Sequence, residues 1–129
     1  MIYVDTSAFV KLIWQEAESN ALQAYLADEQ ATLVSSVLLV VETRRAVQRE
    51  APARMPRADL LLAAVGQVGI GPAVVESASR WPEPMLRSLD AIHLATAMLL
   101  GDELEAVISY DTSLTDAAAS HGLAVVAPA

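Results

Sequence analysis

Short apolar runs, each followed by apolar residues at helical spacing, recur along the chain, and this alternation restricts the fold more than any other feature. Residues 2–4 (Ile-Tyr-Val) suit a buried strand, and Thr6 or Ser7 can cap a helix that carries Phe9, Val10, Leu12 and Ile13. Leu22, Tyr25 and Leu26 predict a second helix over 18–27, and residues 32–35 a second strand. Ser35 or Ser36 then opens a third helix through Val37, Leu38, Val41 and Val47, with Glu42 inside it and Pro52 and Pro56 at its end. Helical spacing resumes at Leu60, Leu61, Ala64 and Val65 until Gly66, Gly69, Gly71 and Pro72 interrupt it, with a weak strand at 70–75. Pro82 and Pro84 precede a strong helix over 89–100, stopped by Gly101. A strand at 106–110, a helix at 112–121 stopped by Gly122, and a strand at 123–127 complete the series. Strand followed by helix, repeated, predicts an α/β fold: one three-layer domain over 1–129 with a mainly parallel sheet, helices on both faces and right-handed crossovers.

Composition narrows the classes of function. A chain of 129 residues that is 54 % hydrophobic can bury a core without covalent staples. It has no cysteine, which excludes disulfides and thiolate metal sites and fits a reducing compartment. No basic segment precedes Asp5, and no apolar run approaches the roughly 18 residues of a membrane span, so a cytoplasmic protein without membrane contact is expected. The net charge of −8 argues against a protein that coats nucleic acid electrostatically. Its distribution is uneven. Between positions 44 and 57 lie Arg44, Arg45, Arg49, Arg54 and Arg57 against Glu50 alone, a charge of +4 that leaves −12 for the other residues. Such a run is commonly a solvated helix face, but arginine is also the side chain suited to forked contact with phosphate.

In open parallel α/β sheets, ligands bind outside the carboxyl ends of the strands, and two acids fall there. Asp5 follows Ile-Tyr-Val and Asp111 follows Val-Ile-Ser-Tyr, each just before a helix, where aspartate also serves as a cap. Asp90 begins the helix at 89–100, beside an apolar face. Glu42 interrupts Val-Leu-Leu-Val-Val, where a lone carboxylate beside the core is costly without a partner. If the four converge, each pair at about 5 Å repels by roughly 3 kcal/mol at an effective dielectric of about 20. Relief comes from protonation or from a hard divalent cation, and an oxygen-only ligand set favours Mg²⁺ or Mn²⁺. Such a site suits phosphodiester hydrolysis.

The ordered set Asp5-Thr6-Ser7-Ala8, Glu42, Asp90-Ala91-Ile92-His93-Leu94-Ala95 and Ser109-Tyr110-Asp111 resembles the PIN-domain nucleases, specifically the VapC-like toxins of type II toxin–antitoxin modules. The resemblance runs over essentially the whole chain. It implies a four- or five-stranded parallel sheet, a Mg²⁺- or Mn²⁺-dependent endoribonuclease, a homodimer, and inhibition by a cognate antitoxin in a hetero-oligomer. Carried over by position, it makes Asp5, Glu42, Asp90 and Asp111 the catalytic metal ligands, with Thr6, Ser109 and Asp116 supporting them. Ser109 stands where the family usually has threonine. Arg45 and Arg49, three and seven residues after Glu42, share its helical stripe and are expected to contact RNA.

The remaining candidates have plainer readings. His93, three residues after Asp90, is expected at the helix surface, with proton transfer as the functional alternative. Trp14 and Trp81 are expected to pack rather than stack on bases, and His121 to end a helix. Phe9, Leu12, Trp14 and Leu22 are core candidates that alternatively form a groove for an antitoxin segment, which would bring a basic side chain to the carboxylates. The alternatives to an active nuclease are an inactive PIN-like binding module and a receiver-type phosphorelay domain. The latter requires a late lysine, whereas the only lysine is Lys11.

Overall fold

The computed structural model describes residues 1–129. Five strands form one sheet in the order β3-β2-β1-β4-β5: β1 (Ile2–Val4), β2 (Leu33–Ser36), β3 (Gly66–Val68), β4 (Ala106–Ile108) and β5 (Val125–Val126). Every pairing is parallel, with Tyr3 opposite Val34 on one side and Val107 on the other. β1 is central and wholly buried, which is why it reads as a continuous apolar run. Alternation along the strands sorts two cores. Ile2, Val4 and Ile108 pack with Phe9, Leu22 and Leu39 on one face, while Tyr3, Val34 and Val107 pack with Leu94, Leu114 and Ala118 on the other.

Seven α-helices cover these faces: α1 (Thr6–Phe9), α2 (Ser19–Glu29), α3 (Leu38–Glu50), α4 (Met55–Leu62), α5 (Pro72–Ser79), α6 (Ser88–Leu100) and α7 (Thr112–Ser120). Short 3₁₀ turns extend α1 (Val10–Leu12), precede α4 (Pro52–Arg54) and follow α6 (Gly101–Glu103). Gly101 and Gly122 end α6 and α7 with φ of 57° and 83°, the left-handed conformation that glycine adopts without strain. No helix is long and apolar enough to cross a membrane.

The three-layer α/β expectation holds, and three local expectations do not. Residues 70–75 are not a strand: the strand lies earlier, at β3, and Pro72 begins α5. Proline at a helix's first positions forfeits no hydrogen bond, so Ala-Val-Val after it joins a helix that buries Val74 and packs against α6. Pro56 likewise opens α4 rather than closing α3. The cap of α1 is Asp5, not Thr6 or Ser7, because both hydroxyls are engaged elsewhere. The strand order also differs from the 2-1-3-4-5 arrangement of receiver-type folds, which removes that alternative.

Candidate active site

β1 and β4 end side by side, the backbone N–H of Asp5 donating to the Ile108 carbonyl at 3.2 Å. Asp5 is only 4 % exposed, yet both of its oxygens are engaged. Oδ1 accepts from the Ala8 backbone N–H (3.1 Å) and the Ser7 hydroxyl (2.7 Å), and Oδ2 from the Ser109 hydroxyl (2.6 Å). Burial pushes the Asp5 carboxyl above the usual carboxylate range, and the two hydroxyls and the Ala8 N–H oppose that shift. Ser7 and Ser109 join the two strand ends further. The Ser7 oxygen accepts from the Tyr110 N–H at 2.9 Å, and the Ser109 oxygen from the Asp111 N–H at 3.0 Å.

Glu42 projects from α3 and is half-buried. Its Oε1 lies 3.0 Å from the Thr6 hydroxyl, which donates to it, and 2.7 Å from Nε2 of His93. Asp111 caps α7, accepting from the N–H groups of Ser113 (2.9 Å) and Leu114 (3.4 Å). Asp90 lies in the first turn of α6 without a hydrogen-bonded partner for its carboxylate. Burial raises its carboxyl above the usual range. Asp111, then Asp5 and Glu42, add negative charge that raises it further, while His93 opposes them. All four acids therefore share one electrostatic neighbourhood, although no three His, Asp or Glu side chains lie close enough to form a ready-made ion cage.

A fold with acids at adjoining strand ends fits many chemistries, so likeness to known proteins is what discriminates among them. The sequence model described as PIN domain matches residues 2–120. Ribonuclease VapC35 of Mycobacterium tuberculosis is 44 % identical over 131 residues, covering 99 % of this chain and 97 % of that one. The chain belongs to the PIN-domain family, among the VapC ribonucleases. Two solved structures share the fold at lower identity. The crystal structure of Mycobacterium tuberculosis VapC20, a sarcin-ricin loop cleaving toxin, superposes with a TM-score of 0.77 at 20 % identity, covering 99 % of this chain and 100 % of that one. A toxin–antitoxin complex from Klebsiella pneumoniae gives 0.77 at 21 % identity, covering 100 % and 98 %.

Within this PIN fold the other expected residues fall in different places. Arg45 is exposed on α3 with no ion pair, and Arg49, also exposed, pairs with Glu50 at 3.1 Å. Asp116 lies on the exposed side of α7, beside a groove formed with Glu83, Met85 and Leu86, and no hydrogen bond links it to the four acids. Of the four groove candidates, Phe9 and Leu22 take the core role, whereas the half-buried Leu12 and Trp14 also line a surface depression with Arg54 and Arg57. Phe9 and Leu22 are fully buried, and Leu12 and Trp14 pack against them. Trp81 packs on the opposite core, its ring centroid 4.6 Å from that of His121.

His93 corrects another expectation. It is 2 % exposed rather than at the helix surface, because α6 is covered along that side by the sheet. Tyr3 and Ser7 also belong to the site, although nothing in their spacing assigns them to it. The hydroxyl of Tyr3 lies 2.7 Å from Nδ1 of His93, a contact across 90 residues that no local spacing announces. A polar-tipped residue inside the Ile-Tyr-Val strand is the one available signal, since a buried phenol needs a partner.

Proposed function

We propose that this chain is a Mg²⁺- or Mn²⁺-dependent endoribonuclease toxin that hydrolyses RNA phosphodiester bonds. The observation that carries the reading is the joining of Asp5 and Asp111 at adjoining strand ends, where Ser109 donates to the Asp5 carboxylate and accepts from the Asp111 N–H, in a chain 44 % identical to a named ribonuclease. The donor set fits a hard cation: carboxylate oxygens, no thiolate, and a histidine whose two nitrogens are already engaged. Asp5, Glu42, Asp90 and Asp111 would hold the ion. Such a cation supplies an acidified water as nucleophile and positive charge for the phosphoryl oxygens.

The chain's own residues do the positioning. Ser7 and Ser109 orient Asp5, Thr6 steadies Glu42, and the α7 amides hold Asp111. Asp116 stands farther out on α7 as a supporting acid. Arg45 and Arg49 draw RNA phosphates along α3 toward Glu42. In the cytoplasm the protein forms a homodimer and a hetero-oligomer with an antitoxin, whose basic side chain neutralises the acidic site in place of the cation. Support for that partner is the shared fold with a toxin–antitoxin complex.

The test is cleavage of a structured RNA by the purified protein with Mg²⁺, with Mn²⁺ and with excess chelator, beside the Asp90→Asn variant. Cleavage that needs metal and falls at least about 100-fold in the variant supports the reading. Undiminished cleavage in chelator overturns the metal dependence. Metal uptake without cleavage of any RNA leaves a PIN-like binding module.

A further inference from the structure

A hydrogen-bonded series crosses the sheet into the candidate site. It starts at the backbone N–H of Ser36, which donates to the Tyr3 hydroxyl oxygen at 3.2 Å. Tyr3 Oη lies 2.7 Å from His93 Nδ1, and His93 Nε2 lies 2.7 Å from Glu42 Oε1. Tyr3 is 0 % and His93 2 % exposed, so the contacts of the Tyr3 hydroxyl are shielded from water, while Glu42 at the far end is half-buried. The members come from β2 and β1, which are paired in the sheet, and from α6 and α3, one helix on each face of it.

Donor and acceptor capacities set the direction of the series. An amide N–H only donates, so the Tyr3 oxygen accepts there and its one proton is free to donate onward to Nδ1. A neutral imidazole that accepts at Nδ1 carries its proton on Nε2, which then donates to the Glu42 carboxylate. The opposite tautomer sets the Nε2 lone pair against a carboxylate oxygen at 2.7 Å with no proton between them. Glu42 Oε1 thus receives two donors, His93 and Thr6, while Oε2 has no hydrogen bond. The carboxylate is left with one uncommitted oxygen and a fixed orientation.

We infer that Tyr3 and His93 are positioning residues: through the series Ser36–Tyr3–His93 they lock the Glu42 carboxylate so that Oε2 alone is presented to the cation. The inference rests on the proposed metal-dependent reading of the site, and it adds two residues that touch neither RNA nor metal. Partners of this kind typically change metal affinity or activity by about 10–100-fold when removed.

The ring proton is read by nitrogen-15 NMR of the metal-free protein, and Glu42's readiness by Mn²⁺ titration. His93 is expected to carry its proton on Nε2, and Tyr3→Phe to turn that single tautomer into a mixture. His93→Leu should weaken Mn²⁺ binding by about 10-fold or more, and His93→Gln, which keeps an N–H donor, should recover part of the loss. A wild-type proton on Nδ1 overturns the inference, as does His93→Leu binding Mn²⁺ as tightly as wild type. Nε2 protonation with Mn²⁺ binding, but no RNA cleavage, keeps the inference and retires the endoribonuclease. Cleavage with the proton on Nδ1 does the reverse.

Discussion

Asp90 is destabilising where it stands, because burial and the neighbouring acids favour its neutral form. A carboxyl whose folded pKa lies above its unfolded value, about 3.9 for aspartate, gives the folded state extra protons between those two values. The penalty is therefore fully present above the folded value and vanishes as pH falls below the unfolded one. Asp90→Asn should raise the urea midpoint of the metal-free protein at neutral pH, with the gain shrinking toward pH 4. A gain that stays constant with pH would contradict the charge argument. Asp5 behaves differently, since its carboxylate is also the cap of α1 and the acceptor for Ser7 and Ser109. Asparagine caps about as well as aspartate, so Asp5→Asn should be near neutral for stability. Asp5→Ala orphans three donors and should cost about 1–2 kcal/mol in the same unfolding measurement.

Among the elements, α3 joins the site to the basic run, with Glu42 half-buried near its start and Arg45 and Arg49 exposed beyond it. Arg44 is tied to Asp59 at 3.0 Å and Arg57 to the Leu12 carbonyl at 3.0 Å, which leaves Arg45 on α3 and Arg54 beyond it as the freer cations. Replacing Arg45 and Arg49 together by alanine should weaken RNA binding and flatten its salt slope by about 1.4, or about 0.7 for each phosphate no longer neutralised. Filter binding across a salt series decides it, and an unchanged slope would return α3 to a solvated face. What is legible from sequence follows from element chemistry. β1, β4, α6 and α7 carry strong periodicity and glycine stops, so their places are readable to within one or two residues. β3 is a short, mostly exposed edge strand that begins at Gly66, and α5 contains paired valines, so propensity misleads where packing against α6 decides. The acids are readable because each ends a strand or interrupts an apolar helix face. The Tyr3–His93–Glu42 contacts are not, because they join residues 3, 42 and 93, which only the assembled sheet brings together.

Across the whole molecule, the proposed metal dependence would link ion and fold: an ion that binds only the folded chain stabilises it by about 2.7 kcal/mol at a concentration of about 100 Kd. Thermal melts should therefore shift upward with Mn²⁺, reversibly on chelation, and much less in Glu42→Gln. Equal shifts in both proteins would place the ion elsewhere. The sheet itself sets a constraint of another kind. β1 is flanked by β2 and β4, and Asp5 is held by Ser109, whose side chain also receives the Asp111 amide. A ribosome making this protein thus releases Asp5 together with Ser7 and Ala8, but their counterpart Ser109 only 104 residues later. Until β4 emerges, the first strand has no neighbour on that side and the carboxylates have no common frame. The nascent chain thus holds Asp5 and Glu42 apart from Ser109 and Asp111 while it is being made, and translation interrupted before β4 yields a fragment that lacks the latter two.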